Sequence, residues 1–168
     1  MQHTIKNKMT YYYKTMPSPV GQLKLIASSR GIAAILWQDD DPQRGGFIEL
    51  TPDNKHPALL ECKKQLQEYF AGKRKKFSLQ LDAKGTDFQK RVWQELAKIP
   101  FGETRSYGEI AKKIGNEKAS RPVGGASGRN PLPIIVPCHR VIGSSGKLTG
   151  FAGGIKVKEF LLQLEKNL

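Results

Sequence analysis

The sequence predicts an α+β protein in two small halves, an N-terminal α/β scaffold over residues 1–84 and a C-terminal helical half over residues 85–168. Three observations carry that expectation. Residues 11–37 are β-prone and punctuated by glycine, a stretch from Pro57 carries apolar side chains at three-to-four spacing, and beyond Gly85 a series of short capped helices follows. At 168 residues the chain can bury a core without disulfide staples.

In the first half, Val20 to Ala27 alternates in part, Ser28-Ser29-Arg30-Gly31 reads as a turn, and Ile32–Trp37 is apolar, so a hairpin is the simplest assignment. Asp39 to Gly46 breaks structure. A helix then begins near Pro57, with Leu59, Cys62, Leu66, Tyr69 and Phe70 on one stripe and Gly72 as its stop. Cys62 on that stripe reads as an inert core thiol. The basic run Lys73-Arg74-Lys75-Lys76 reads as a solvated loop, and Phe77–Leu81 as one more strand.

In the second half, Thr86-Asp87-Phe88-Gln89 is a capping box that opens a helix with Phe88, Val92, Leu96 and Ile99 on one face, until Pro100 stops it. Ser106-Tyr107-Gly108-Glu109 is a second box, leading to Ile110, Ala111 and Ile114 with Gly115 as the stop. Ser120 can cap a third helix with Arg121 and Pro122 in its first turn. Two capped helices across a short turn form the helix-turn-helix pattern. Glycine costs a helix about 1 kcal/mol against alanine, so Gly124-Gly125-Ala126 needs a reason. Close packing on a neighbouring helix and close approach to a nucleic-acid groove serve equally well. Ile134-Ile135-Val136, bracketed by prolines, reads as a short strand that puts Cys138 on stiff, extended backbone. Val157, Phe160, Leu161 and Leu164 mark an amphipathic C-terminal helix.

Lys and Arg number 28 against 15 acidic residues, and the excess divides almost evenly, +6 in residues 1–84 and +7 in residues 85–168. The positive charge therefore belongs to the folded body, as expected of a protein that meets phosphate. No apolar run approaches the length of a membrane span, and the first residues, MQHTIKNKMTYYYK, lack the apolar stretch of a secretory signal, so a cytoplasmic protein is expected. Cys62 and Cys138 are 76 positions apart with no CxxC, which provides neither a disulfide framework nor a zinc module.

A thiolate nucleophile needs a base or a positive field, and His139 is the obvious partner of Cys138. On extended backbone neighbouring side chains point to opposite faces, so His139 is expected to act through a bridging water, with Glu165 nominated to orient its ring. The adjacency alone reads equally as a buried inert cysteine beside a satisfied histidine.

Pro137-Cys138-His139-Arg140-Val141 resembles the active-site motif of the O6-alkylguanine-DNA alkyltransferases (methylated-DNA–protein-cysteine methyltransferases). The similarity extends through Gly85-Thr86-x-Phe88-Gln89-x-x-Val92-Trp93, Ile99-Pro100-x-Gly102-Glu103-Thr104-x-Ser106-Tyr107, Arg121-x-Val123-Gly124-Gly125-Ala126, Asn130-Pro131 and Gly153-Gly154 to Glu165. In the first half it is looser, chiefly Pro17-x-Pro19-x-Gly21 and Glu68-Tyr69-Phe70-x-Gly72. Phe151 stands where many members have tyrosine, Leu164 where histidine often precedes the glutamate, Lys166 where glycine follows it, and Phe101 where a second cysteine is common.

The resemblance implies a ribonuclease-H-like N-terminal domain and a C-terminal helix-turn-helix, winged-helix-like domain that binds double-stranded DNA through the minor groove. It implies base flipping and irreversible transfer of the alkyl group of O6-alkylguanine, and less well of O4-alkylthymine, to Cys138, in a monomer consumed by the act. His139 is then the water-linked base, Glu165 its carboxylate, Tyr107 the proton donor to the departing guanine, Arg121 the side chain that replaces the extruded base, and Asn130 the brace of the active-site loop. Tyr107, Arg121, Gly124, Gly125, Ala126 and Ser144 fall at DNA-contacting positions, and Val136, Pro137, Ser145 and Phe151 at substrate-pocket positions. No cofactor is implied, and with His3 and His56 the only histidines of the first half, no structural zinc is expected. A non-catalytic alkyltransferase-like binder of damaged DNA is the alternative, against which Cys138 argues; a basic transcription regulator leaves Pro-Cys-His-Arg unexplained.

Overall fold

The computed structural model describes residues 9–47 and 49–167, with the side chain of Arg44 left out. Residues 1–8, which include His3 and most of the segment read for a secretory signal, lie outside that range. The first half is a sheet covered by a helix. Strands β1 (Tyr11–Met16), β2 (Leu23–Ser28) and β3 (Gly31–Leu36) form an antiparallel meander, and β4 (Leu50–Pro52) adds in parallel to β1, giving the order β3-β2-β1-β4. The predicted hairpin is β2–β3. Helix α1 (Pro57–Phe70), capped by the His56 side chain on the Ala58 N–H, turns Leu59, Cys62, Leu66 and Tyr69 into the core against Leu23, Leu25 and Ala27. Ile26, Ala33 and Ala34 pack on the opposite face with Tyr11, Tyr13 and Phe47, so the sheet is apolar on both sides.

Residues 77–81 do not form the expected strand. Leu81 makes a single parallel bridge to Ile32, through Ile32 N–H to Gln80 O at 2.9 Å and Asp82 N–H to Ile32 O at 2.8 Å. The rest of the segment is held by a side chain instead, since Ser78 N–H donates to Gln65 Oε1 at 2.9 Å and Gln65 Nε2 returns to Ser78 O at 3.1 Å. Gly31 is required at this crossing: a Cβ there would stand 2.5 Å from Gln80 O.

In the second half, α2 (Asp87–Ala97) and α3 (Tyr107–Lys113) open with the two predicted capping boxes, on Thr86 and Ser106. Helix α4 (Ser120–Gly128) follows α3 across a short turn to complete the helix-turn-helix. Ser120 is not its cap. The cap position is Ala119, which offers no side-chain bond, and Ser120 is already the first helical residue. Two-residue strands β5 (Arg105–Ser106) and β6 (Val141–Ile142) pair in parallel, and α5 (Ile155–Lys166) closes the fold. Helix α5 presents Lys158, Leu161 and Glu165 inward, while Phe160, expected on the apolar face, is exposed.

Residues 133–136 turn where a strand was expected. Ile134 has φ 73°, Val136 N–H donates to Leu132 O at 2.8 Å, and a 3-10 turn spans Cys138–Arg140. No strand lies alongside to pair with the segment among the described residues, and the flanking prolines lack N–H donors for a ladder. The loop is instead docked on the first half, with Ile35 N–H donating to Pro131 O at 2.8 Å. One apolar core runs through both halves. No helix among the described residues is long and apolar enough to cross a membrane.

Candidate active site

Cys138 begins the 3-10 turn and is 7% exposed at the floor of a cleft lined by Trp37, Ser127, Gly128, Asn130, Pro133, Gly150, Phe151 and Ala152. The turn is braced from below. Asn130 Nδ2 donates to Val136 O at 2.8 Å while its Oδ1 accepts from Leu132 N–H at 2.9 Å, fixing both ends of the loop that leads into Cys138. Burial pushes the Cys138 thiol up, opposed by a hydrogen bond from Asn130 and by the nearby charge of Lys158.

His139 follows, fully buried, with Nε2 2.6 Å from Glu165 Oε2. Glu165 reaches this point from the last turn of α5 and collects donors from four places: Tyr69 Oη at 2.6 Å, Gly102 N at 3.2 Å, and Arg140 Nε and Nη2 at 2.8 and 3.0 Å besides the imidazole. Burial alone would raise its pKa, but the hydrogen bonds from His139, Arg140 and Tyr69 outweigh that and hold the carboxyl well below the ordinary range. An ionised Glu165 can only accept, so the His139 proton sits on Nε2 and the lone pair on Nδ1. Burial lowers the His139 pKa against the pull of Glu165, which keeps the ring neutral. Nδ1 is the single buried side-chain polar atom among the described residues without a hydrogen-bond partner. Arg140 completes the array by donating from Nη1 to Ile99 O at 2.7 Å and lying 5.7 Å from the Phe101 ring centroid.

Besides Tyr69, two residues of this site were missed from the sequence. Lys158, fully buried, donates from Nζ to Val141 O at 2.6 Å and to Thr149 O at 3.2 Å, 5.9 Å from the Tyr107 ring and 6.0 Å from that of Phe151. Burial lowers its pKa, countered by the Cys138 charge. The signal was the phase of α5: Lys158, Leu161 and Glu165 share one face at three- and four-residue spacing. The other is Trp37 of the first half, which meets Phe151 edge-on with centroids 5.6 Å apart and forms one wall of the cleft. Gly153 makes room for it, since a Cβ there would stand 2.8 Å from Trp37 Cε2.

Of the four expected pocket residues Phe151 lines the cleft. Val136 and Pro137 are buried in the loop behind Cys138, and Ser145 is exposed with Ser144 on the turn after β6. Tyr107 is the first residue of α3, and Arg121 and Gly125 are exposed on α4. Ala126, grouped with them as a DNA contact, faces the core instead: it is 4% exposed and its carbonyl accepts from Trp93 Nε1 at 2.8 Å. Packing within the chain requires neither helical glycine. Beyond the helix's own backbone and the chain neighbours, no described atom lies within 4 Å of a Cβ at Gly125, and one at Gly124 would meet the Tyr107 ring at an ordinary 3.9 Å.

A helix-turn-helix joined to a buried cysteine, histidine and carboxylate is the arrangement that the sequence resemblance implies. Comparison with known proteins identifies the family. The family model for the ribonuclease-like domain of 6-O-methylguanine DNA methyltransferase matches residues 11–83, and that for its DNA binding domain residues 87–167. The chain is 50% identical over 157 residues to a methylated-DNA–protein-cysteine methyltransferase of Methanosarcina acetivorans, covering 92% of this chain and 97% of that one. The crystal structure of Mycobacterium tuberculosis O6-methylguanine methyltransferase superposes with a TM-score of 0.84 at 49% identity, covering 94% of each chain. The same organism's protein in complex with DNA gives 0.86 at 49% identity over 93% of each. The chain belongs to the 6-O-methylguanine DNA methyltransferase family, the methylated-DNA–protein-cysteine methyltransferases.

Proposed function

We propose that this protein repairs duplex DNA by moving the alkyl group of O6-alkylguanine, and more slowly that of O4-alkylthymine, onto Cys138 Sγ, once per molecule. The observation that carries the reading is the His139 ring, next in sequence to the cysteine, fixed at Nε2 by Glu165 and left with a buried, unpartnered Nδ1. Nδ1 takes the thiol proton through one water. The sulfur attacks the alkyl carbon, the S–C bond forms as the C–O6 bond breaks, and the electron pair stays with guanine. Tyr107 gives guanine its proton and regains one from solvent as His139 releases to solvent the proton it took from the thiol, so the count closes. The Lys158 ammonium near both groups favours the thiolate as it forms. A thioether has no polarised carbonyl for water to attack, so the thiolate is not regenerated.

The target atom of a stacked guanine faces the major groove, so a protein docked in the minor groove must extrude the base toward the cleft that Trp37 and Phe151 line over Cys138. Exposed Arg121 fills the gap, and Gly124 and Gly125 let the α4 backbone approach the groove. The reading includes a monomer of the cytoplasm, where the reduced thiols of Cys62 and Cys138 persist. A non-catalytic binder is disfavoured because position 138 carries the thiol.

Incubation with excess O6-methylguanine duplex, followed by intact mass and peptide mapping, tests the proposal. One methylene unit per protein on Cys138 is expected, and Cys138→Ala loses transfer while binding DNA. Turnover beyond one equivalent, or a label on Cys62, overturns it.

A further inference from the structure

Among the described residues, the first half reaches the cysteine relay at one atom. Tyr69, on the last turn of α1, is fully buried among Phe70, Phe77 and Phe101, and its hydroxyl crosses to the second half to donate to Glu165 Oε2 at 2.6 Å. That oxygen is the one His139 Nε2 binds at the same 2.6 Å. We infer that Tyr69 is a positioning residue of the alkyl-transfer site, through which the N-terminal half sets how strongly Glu165 draws on His139. The inference rests on the proposed role of His139 as base.

The phenol and the imidazole compete for one oxygen. Burial and the neighbouring carboxylate push the Tyr69 hydroxyl far up, so it donates throughout the working range and is a fixed dipole aimed at Oε2. Density given to Tyr69 is withheld from His139, which keeps the imidazole a weaker base and its Nδ1 lone pair free at lower pH. The groups that face His139 are Glu165 and Lys158 from α5 and Arg140 from its own turn; those that face Glu165 are His139, Arg140 and Tyr69. Tyr69 is the only one of these contributed by the N-terminal half. Its ring also serves the core, so the hydroxyl has to be tested apart from the ring.

Tyr69→Phe keeps the aromatic packing and removes the donor. Two readouts are taken on folded protein across pH 5 to 9: the rate of Cys138 alkylation by free O6-benzylguanine, which needs no DNA, and the titration of the His139 ring nitrogens by NMR. The expected result is a His139 pKa raised by roughly half a unit to one unit, with the acid limb of the rate profile displaced upward by the same amount and the alkaline plateau retained. A lower melting temperature with both curves superimposed on wild type overturns the inference and leaves Tyr69 a core residue. The NMR arm decides the point even if wild type fails to alkylate Cys138, an outcome that instead sinks the alkyl-transfer reading.

Discussion

Glu165→Gln removes one charge and keeps the side-chain shape. In the native protein this carboxylate balances the Arg140 guanidinium, which is 6% exposed and bound through Nε at 2.8 Å and Nη2 at 3.0 Å. The amide nitrogen of glutamine brings a donor where Arg140, Tyr69 and His139 all donate already, so an uncompensated buried cation faces a mismatched partner. Breaking a buried pair from one side costs about 3–5 kcal/mol. For a chain of this length that is a fall in melting temperature of roughly 6–20 °C. The pH dependence has a definite sign. The folded carboxyl titrates below its unfolded value, so its contribution is complete above about 4.3 and is lost as pH falls toward the folded value. The gap between wild type and variant therefore narrows in acid. His139, whose folded pKa is also depressed, destabilises both proteins in the same direction as pH drops below about 6.5. Differential scanning calorimetry from pH 7.5 to 3 measures both effects. Equal melting temperatures at neutral pH, or a gap that stays constant into acid, would refute the reasoning.

Arg121→Ala is expected to slow repair of duplex DNA far more than reaction with free O6-benzylguanine, because extrusion costs a few kcal/mol of stacking and the free base needs none; equal slowing in paired rate measurements assigns Arg121 to the pocket or the fold. Cys62 has no exposed surface and burial pushes its thiol up to about 12, so a small alkylating reagent at pH 8 leaves it unmodified until denaturant is added. Mass spectrometry of tryptic peptides reads that directly, and labelling under native conditions contradicts the packing described for α1.

Helix starts were legible because their signals are local. Thr86 and Ser106 carry their capping partners three residues on, and the boxes form as read. Strand β4 was not seen because a three-residue edge strand shows no periodicity. Residues 133–136 misled because a β-branched, proline-flanked run satisfies every local test for a strand, while its conformation is set by Asn130 and by the Ile35 backbone, far away in sequence. Glu165 was a bare nomination from the sequence, since nothing in its spacing from His139 marks it among the acidic residues, and it was reached through the resemblance. Tyr69 was not, since at helical spacing on an apolar stripe a tyrosine is indistinguishable from core, and only the fold brings its hydroxyl 96 positions along the chain to its partner.

Ile134, at φ 73°, is a β-branched residue in a conformation that such side chains resist, and it persists only because the surroundings hold it there. One of those holds is the Ile35 N–H on Pro131 O, supplied by a strand made nearly a hundred residues earlier. The loop's conformation thus depends on a strand from the other end of the chain. The turn that carries Cys138 therefore takes its shape from contacts that neither half supplies alone.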